Sequence, residues 1–219
     1  MRGHNKQDFS GLNYTMISLL SDKINILIVG GGEAALIKCK TFSKEGCNIT
    51  VVSKEFCLEF YTLQNIYNLK LIKGEYDERY VDQNHIVIIA TDNIETNDGI
   101  KEYCDRKSKL YVHCGDYKQG LFVTPVQRST PNMKFALHTK NGSPKTTLFM
   151  SKVIEDKICE YEGFINYTCS MRNMVKKSEV KKEIMNFVCS EDFHFFYNKG
   201  VQNTILEMFY GAEFGIVEN

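Results

Sequence analysis

The sequence has no excess of charge of either sign. Its 219 residues include 27 Lys and Arg against 27 Asp and Glu, so the formal net charge is zero. A protein that binds DNA or RNA relies on an excess of cations, which releases counterions from the phosphates. The composition therefore argues against nucleic acid as a partner.

Long hydrophobic runs and a secretory leader are also missing. Fully apolar runs such as residues 86–90 are short, whereas a membrane-spanning helix needs roughly 20 apolar residues. Residues 1–13 lack the apolar core of a signal peptide and read as a polar lead-in. With 43% hydrophobic and 25% charged residues the composition is that of a globular chain. We expect a cytoplasmic protein with no membrane partner.

Closely paired cysteines are a third absence. None of the eight cysteines forms a C-x-x-C pair, the spacing used by zinc sites and dithiol redox centres. Several lie in apolar contexts, as reduced cysteines do in a reducing compartment. The sequence therefore predicts no structural metal site.

The chain does contain an alternation of apolar strands and helical segments. Residues 24–29 form an apolar, β-branched run that ends in three glycines, which is typical of a strand buried on both faces of a parallel sheet. A helix is predicted at 33–45 and another at 94–107. Further strands are predicted at 49–52, 69–72, 86–90 and 110–114. This order predicts an α/β fold with a Rossmann-like, doubly wound parallel sheet.

The pattern changes where the prolines occur. All three prolines lie between residues 125 and 144, with two more strand candidates at 121–124 and 133–139, which suggests a small antiparallel segment. Apolar residues at helical spacing follow from about residue 150 and predict a helical C-terminal domain. Ser178 and Ser190 are its predicted N-caps, and Gly200 is a predicted helix stop.

The glycines after the first strand form the most informative motif. Gly30, Gly32 and Ala35 match G-x-G-x-x-[GA] between a strand and a helix. The first glycine permits the tight turn, the second lets backbone N–H groups approach a pyrophosphate, and the small third residue lets the helix pack on the strand. The acidic residue that usually holds the ribose, at the end of the second strand, is Ser53 here, followed by Lys54 and Glu55. A serine can bind a ribose hydroxyl and Lys54 can tolerate a 2′-phosphate, so NAD and NADP both stay open.

These motifs resemble the N-terminal half of siroheme synthase, the precorrin-2 dehydrogenase family. The resemblance covers residues 14–160: the run 25–38, the strand 49–53, Ala90-Thr91-Asp92, Asp116, and the Pro125 and Pro144 segments. It implies NAD-dependent oxidation of precorrin-2 to sirohydrochlorin by a homodimer, in some members with insertion of ferrous iron as a further substrate. Together with the patterns above, it divides the chain into a lead-in at 1–13, an NAD-binding domain at 14–116, a dimerisation and substrate segment at 117–150, and a helical domain at 151–219.

The resemblance also assigns roles to individual residues. Asp116, which closes the fifth strand, matches the family's catalytic aspartate, which takes a proton from the macrocycle while hydride leaves for the nicotinamide. The implied cofactor-binding residues are Gly30, Gly32, Glu33, Ala34 and Ala35 at the pyrophosphate, Ser53, Lys54 and Glu55 at the adenosine, and Ala90, Thr91 and Asp92 at the nicotinamide.

Two positions depart from the family pattern. His113 replaces the common asparagine three residues before the aspartate, and His138-Thr139-Lys140-Asn141 replaces Ser-Ser-Gly-Gly. A buried, hydrogen-bonded histidine is the simpler interpretation of His113, with iron coordination by His113 or His138 as the alternative. His113 and Cys114 alternate along the strand, so they cannot both face the site.

Residues 117–154 contain six cations and no acidic residue, so the neutral total hides a basic segment. Precorrin-2 carries several carboxylates, which Arg and Lys capture well. Arg128, Lys134 and Lys140 are therefore the predicted substrate-binding residues, together with His113. Two alternatives to the dehydrogenase stay open: a non-catalytic dinucleotide-binding sensor, and a chelatase with weak dehydrogenase activity.

Overall fold

A computed structural model describes residues 13–140 and 142–211. The described chain forms two compact units, residues 13–124 and 125–211. Nearly all of the predicted lead-in, and Asn141, lie outside the described residues. No helix in the described ranges is both long enough and apolar enough to cross a membrane.

The first unit contains one parallel sheet of five strands. They are β1 (Asn25–Val29), β2 (Asn48–Ser53), β3 (Leu69–Lys73), β4 (Ile86–Ile89) and β5 (Leu110–His113), in the spatial order β3-β2-β1-β4-β5. The order reverses between β1 and β4. A crevice at such a reversal, outside the carboxyl ends of the strands, is where open α/β sheets bind ligands.

Helices cover both faces of this sheet, which confirms the predicted doubly wound fold. They are α1 (Glu33–Lys44), α2 (Glu59–Ile66), the short α3 (Arg79–Asp82) and α4 (Ile94–Arg106). Successive side chains of a strand point to opposite faces. Ile26 and Ile28 of β1 therefore pack in one core cluster with residues of α1 and α2, while Leu27 and Val29 pack in a second cluster with residues of α3 and α4.

The second unit begins with a two-stranded antiparallel sheet, β6 (Val126–Ser129) paired with β7 (Lys134–Leu137). The predicted strand at 121–124 is wrong. Leu121 donates one backbone hydrogen bond to Tyr111 O (2.9 Å) and Phe122 packs against the core of the first unit, so this segment is a packed coil. Its apolar character reflects packing rather than strand pairing.

Five helices complete the second unit: α5 (Pro144–Glu160), α6 (Glu162–Met174), α7 (Lys181–Val188), α8 (Glu191–Asn198) and α9 (Gln202–Tyr210). Ser190 is confirmed as an N-cap because its hydroxyl accepts from Phe193 N at 3.2 Å. Gly200, at φ 72°, ends α8 as predicted. Ser178 instead closes a turn before α7, whose N-cap is Val180. The core of α6–α9 contains Met171, Val175, Ile184, Val188, Phe193 and Leu206.

Candidate active site

The glycine loop after β1 is shaped by two close backbone approaches. Gly30 has φ 126°, and a Cβ there would lie 2.1 Å from Ala90 O. A Cβ on Gly31 would lie 1.9 Å from Glu55 O. A Cβ on Gly32 would meet nothing within 4 Å. The first two glycines let the ends of neighbouring strands come together, and the third leaves open space before α1.

That open space adjoins the N-terminus of α1. Gly32 is the N-cap and has no side chain to bond the first-turn N–H groups, which have no partners within the helix itself. A helix end of this kind attracts an anion through its N–H groups and its dipole. Ala35 is fully buried in the core under the helix. Its side chain serves packing, so only its backbone N–H can contribute to binding.

The loops that follow β1, β2, β3 and β4 enclose a cleft of about 900 Å³. Of the eleven predicted cofactor-binding residues, every one except Ala35 lines it: Gly30, Gly32, Glu33, Ala34, Ser53, Lys54, Glu55, Ala90, Thr91 and Asp92. A cleft of this size is within the range of small-molecule and cofactor sites. The structure thus brings the predicted set together.

The end of β3 contributes residues that the sequence analysis missed. Gly74, Glu75, Tyr76 and Glu78 line the cleft. The signal was present, because a third parallel strand at 69–72 places its following residues at the same edge of the sheet. Glu75 forms an ion pair with Lys54 (2.9 Å), and this hydrogen bond holds the pKa of Glu75 below its usual value. Both side chains are mostly exposed, so the pair contributes little to stability.

The loop after β4 is held by two asparagines that the sequence analysis also missed. The Asn93 side chain accepts from Thr96 N at 2.7 Å and caps α4. Asn97 is buried, and its amide donates to Thr91 O at 2.9 Å. A capping asparagine before the helix at 94–107 was the available signal. These bonds fix Thr91 at the rim of the cleft.

Asp116 lies where the chain leaves β5, outside the residues that line the cleft. Its backbone N–H donates to His113 Nδ1 (2.9 Å), while its carboxylate accepts from Lys118 N (3.0 Å) and Gln119 Nε2 (3.2 Å). These two hydrogen bonds hold the pKa of Asp116 below its usual value, and the bond from Lys118 N has the larger effect. Asp116 is therefore an ionised, partly buried carboxylate that also caps the turn Tyr117–Gln119.

Residues His113 and Cys114 have different environments, as strand alternation requires. Cys114 packs against the α1 and α2 core cluster, and burial raises the pKa of its thiol. His113 Nδ1 accepts from Asp116 N and so orders the β5 exit. This contact matches the interpretation of His113 as a hydrogen-bonded histidine.

The predicted substrate-binding cations of the basic segment belong to the second unit. Arg128 is partly buried, with Nε 3.2 Å from Ser151 Oγ and a guanidinium nitrogen 3.8 Å from Glu155. It therefore ties β6 to α5. Lys134 and Lys140 are exposed on β7 and after it, and His138 is partly buried. Arg128 thus has a structural task within the second unit.

The cleft fits a dinucleotide by its own geometry. The open space before Gly32 admits a phosphate, the α1 N-terminus offers N–H donors, and Ser53 offers a hydroxyl at the end of β2. The β4 side adds Thr91 and Asp92 at the opposite end. Hydrogen-bonding groups are thus arranged along one edge of the sheet, where folds of this kind bind dinucleotides.

Comparison with known proteins agrees with this geometry. A family model described as "Putative NAD(P)-binding" matches residues 17–126. Siroheme synthase from Salmonella dublin is 26% identical over 153 residues, which are 69% of this chain and 33% of that protein. Siroheme synthase from Pseudoalteromonas translucida is 24% identical over 152 residues, 69% of this chain and 32% of that protein. The chain thus spans about a third of the length of these curated relatives.

A solved structure titled "SirC, precorrin-2 dehydrogenase" has the same fold. The match has a TM-score of 0.63 at 20% identity and covers 89% of this chain and 98% of that one. It includes the parallel sheet, the small antiparallel sheet and the helical part. At this identity the likeness shows the fold alone.

Proposed function

Because the chain belongs to the NAD(P)-binding family whose model spans residues 17–126, we propose that it is a nicotinamide-dependent dehydrogenase that oxidises precorrin-2 to sirohydrochlorin. The named relatives and the shared fold support this substrate. One observation carries the proposal: a dinucleotide-sized cleft lies at the ends of β1 to β4, and the next strand in the sheet, β5, ends beside an ionised Asp116.

Each group of residues has a distinct task in this reaction. The first-turn N–H groups of α1 hold the pyrophosphate, Ser53 holds a ribose hydroxyl, and Thr91 and Asp92 orient the nicotinamide. Bound NAD(P) supplies the hydride acceptor. Oxidation removes one hydride and one proton from the macrocycle, and a carboxylate oxygen of Asp116 accepts the proton. His113 and Gln119 hold Asp116 in place through its backbone N–H and its carboxylate.

We propose NAD rather than NADP as the cofactor. Lys54 is the cation nearest in sequence to the ribose position, and its ammonium is paired with Glu75 at 2.9 Å. A 2′-phosphate would have to break this pair and approach Glu75 and Glu55. Ser53, by contrast, can accept or donate to a free 2′-hydroxyl.

The second unit supplies substrate capture and self-association in this proposal. Lys134 and Lys140 lie in a segment without acidic residues, which suits an acidic macrocycle. Helix α5 exposes four apolar side chains that lie close together in the sequence, namely Leu148, Phe149, Met150 and Val153. This apolar surface supports a homodimer, and Phe149→Glu is expected to yield a monomer in light scattering, with Lys157→Glu, an exposed change on the same helix, as the control.

None of the eight cysteines, all within the described residues, forms a disulfide, which supports a reducing, cytoplasmic compartment. Ferrous iron as a further substrate is a separate part of the proposal. His113 and His138 are its candidate contacts, and alanine variants assayed for chelation apart from dehydrogenation test them. Unchanged chelation in both variants removes these residues from that role.

A dinucleotide-binding sensor is the second candidate, and one observation favours it. Asp116 caps the Tyr117–Gln119 turn, so its presence has a structural reason that does not require catalysis. This candidate predicts NAD binding without turnover.

The deciding experiment is an anaerobic incubation of the purified protein with precorrin-2 and NAD. The dehydrogenase proposal expects the absorption spectrum of sirohydrochlorin and a stoichiometric rise of NADH. Ferrous iron is then added to test chelation. Bound NAD with no spectral change would reject the dehydrogenase and favour the sensor.

A further inference from the structure

A half-buried ammonium group lies on α1, one turn beyond the cofactor cleft. Lys38 follows the cleft residue Ala34 by four positions, so the two side chains share one face of the helix. Lys38 Nζ donates to Thr124 Oγ1 at 2.5 Å. Its position is therefore defined by a specific contact rather than by solvent.

The Lys38 side chain is partly buried. Cys114 and Phe122 pack against the core cluster next to α1. Burial lowers the pKa of Lys38, and the nearby ammonium in turn opposes the rise in the pKa of the Cys114 thiol. Lys38 thus lies near Cys114, which directly follows β5 and precedes Asp116 by two residues.

Within the part of the chain that the structure describes, no carboxylate lies in ion-pair range of Lys38. A cation removed from water normally has an anionic partner. An ammonium has three N–H donors, of which Thr124 takes one. The two other donors can bind water or an anion that comes from a second molecule.

The cofactor phosphates are not placed to bind the Lys38 ammonium. They bind at the N-terminus of α1, whereas Lys38 lies five residues beyond Glu33, a rise of roughly 7.5 Å along the helix axis. Lys38 also does not line the dinucleotide cleft. An anion bound by Lys38 would therefore belong to a second molecule at the β5 exit.

We propose that the Lys38 ammonium binds a carboxylate of the substrate, with the Thr124 hydroxyl holding the ammonium in place. This inference rests on the proposed function, in which the substrate is a polycarboxylate. It gives the β5 exit two opposite charges: Lys38 attracts a substrate carboxylate, and Asp116 receives the proton. Lys38 also offsets the repulsion between Asp116 and the acidic macrocycle.

The test measures binding of sirohydrochlorin, the proposed product, to the NAD-loaded full chain by absorbance titration. Lys38→Met is expected to weaken binding about tenfold or more, the usual loss for one charged hydrogen bond. KM for precorrin-2 should rise similarly while kcat and the Kd for NAD stay unchanged. Lys38→Arg should retain most of the affinity. Lys40→Met, on an exposed position of the same helix, is the matched control.

A purely structural role for Lys38 predicts a different outcome. Lys38→Met and Thr124→Val would then lower Tm alike, with sirohydrochlorin affinity unchanged in every folded variant, and this result would overturn the inference. As a check that needs no substitution, the wild type should bind a fully amidated macrocycle at least tenfold more weakly; equal affinity for acid and amide rejects the inference. If the wild type binds NAD but no macrocycle, the proposed function fails as well. If the wild type and Lys38→Met bind sirohydrochlorin equally tightly, the role of Lys38 is rejected and the proposed function stands.

Discussion

Two parts of the sheet's carboxyl edge, called here the backbone-built end at β1 and β2 and the side-chain-built end at β5, are shaped by different atoms. At β1 and β2 the shape comes from backbone atoms: Gly30 approaches Ala90 O, and Gly31 approaches Glu55 O. At the β5 exit the shape comes from side chains, with His113 and Gln119 holding Asp116. A backbone-built site needs only glycines and strand spacing, so it tolerates change elsewhere in the sequence. A side-chain-built site changes with each substitution, and His113, where the sequence analysis expects a departure from the resembled pattern, lies there.

The largest expected effect comes from Asp116→Asn, which breaks only the side-chain-built end. Asparagine still caps the Tyr117–Gln119 turn through its side-chain oxygen but cannot take a proton. We expect kcat to fall by about 10²-fold or more, with the Kd for NAD and the Tm unchanged. Retained turnover would show that Asp116 is only a cap.

Alanine substitutions at two neighbouring glycines test the backbone-built end. Gly31→Ala should destabilise the protein by about 3 kcal/mol or more, because the new Cβ meets backbone at Glu55 and neither chain can yield cheaply. Gly32→Ala is the matched control for folding, since its Cβ meets nothing within 4 Å. It should keep the wild-type Tm yet weaken NAD binding about tenfold by occupying the phosphate space. Calorimetry measures the Tm and equilibrium dialysis measures the NAD affinity. Full NAD affinity in Gly32→Ala would show that the phosphate does not bind beside Gly32.

Gln119→Leu tests the side-chain-built end through the pKa of Asp116. The Gln119 amide stabilises the charged form of Asp116, so its removal should raise the pKa of Asp116 toward the usual 3.8. Asp116 acts only when ionised, so activity that is lost as pH falls should be lost at a higher pH in the variant. Carbon-13 NMR titration of the Asp116 carboxyl group measures this directly. Leu121→Ala, a nearby exposed change, should leave that titration unmoved.

The smallest expected effect concerns the ion pair between Lys54 and Glu75 at the backbone-built end. Glu75→Gln leaves the Lys54 ammonium unpaired and should tighten NADP binding by about threefold to tenfold, with little change for NAD. Glu59→Gln, which alters an exposed acid on α2 away from the cleft lining, controls for total charge. Equal NADP affinity in both variants would show that the Lys54–Glu75 pair does not select the cofactor.

The comparison also explains what the sequence could predict. Buried parallel strands and a glycine loop are local patterns, so the sheet, its two covered faces and the position of the glycine loop at the cleft follow from them. The other predicted cofactor-binding residues came from the family resemblance, and their binding role stays a prediction. The Lys54–Glu75 pair was missed because it joins the ends of two strands. The Lys38–Thr124 contact spans 86 positions, and no local pattern reports it. The coil at 121–124 looked like a strand because burial and strand pairing favour the same residues.

The hydrogen-bond ladder of the sheet continues beyond its strands. Gly30 N bonds to Val52 O, Gly74 N to Ser53 O, Ala90 N to Val29 O and Cys114 N to Ile89 O, each at 2.9 Å. The first amide of each of these loops is therefore anchored before any ligand arrives. We expect these four amides to exchange slowly with deuterium in the cofactor-free protein, as strand amides do. The floor of the cleft would then be rigid in advance, and the entropy lost on cofactor binding would be largely that of the cofactor itself.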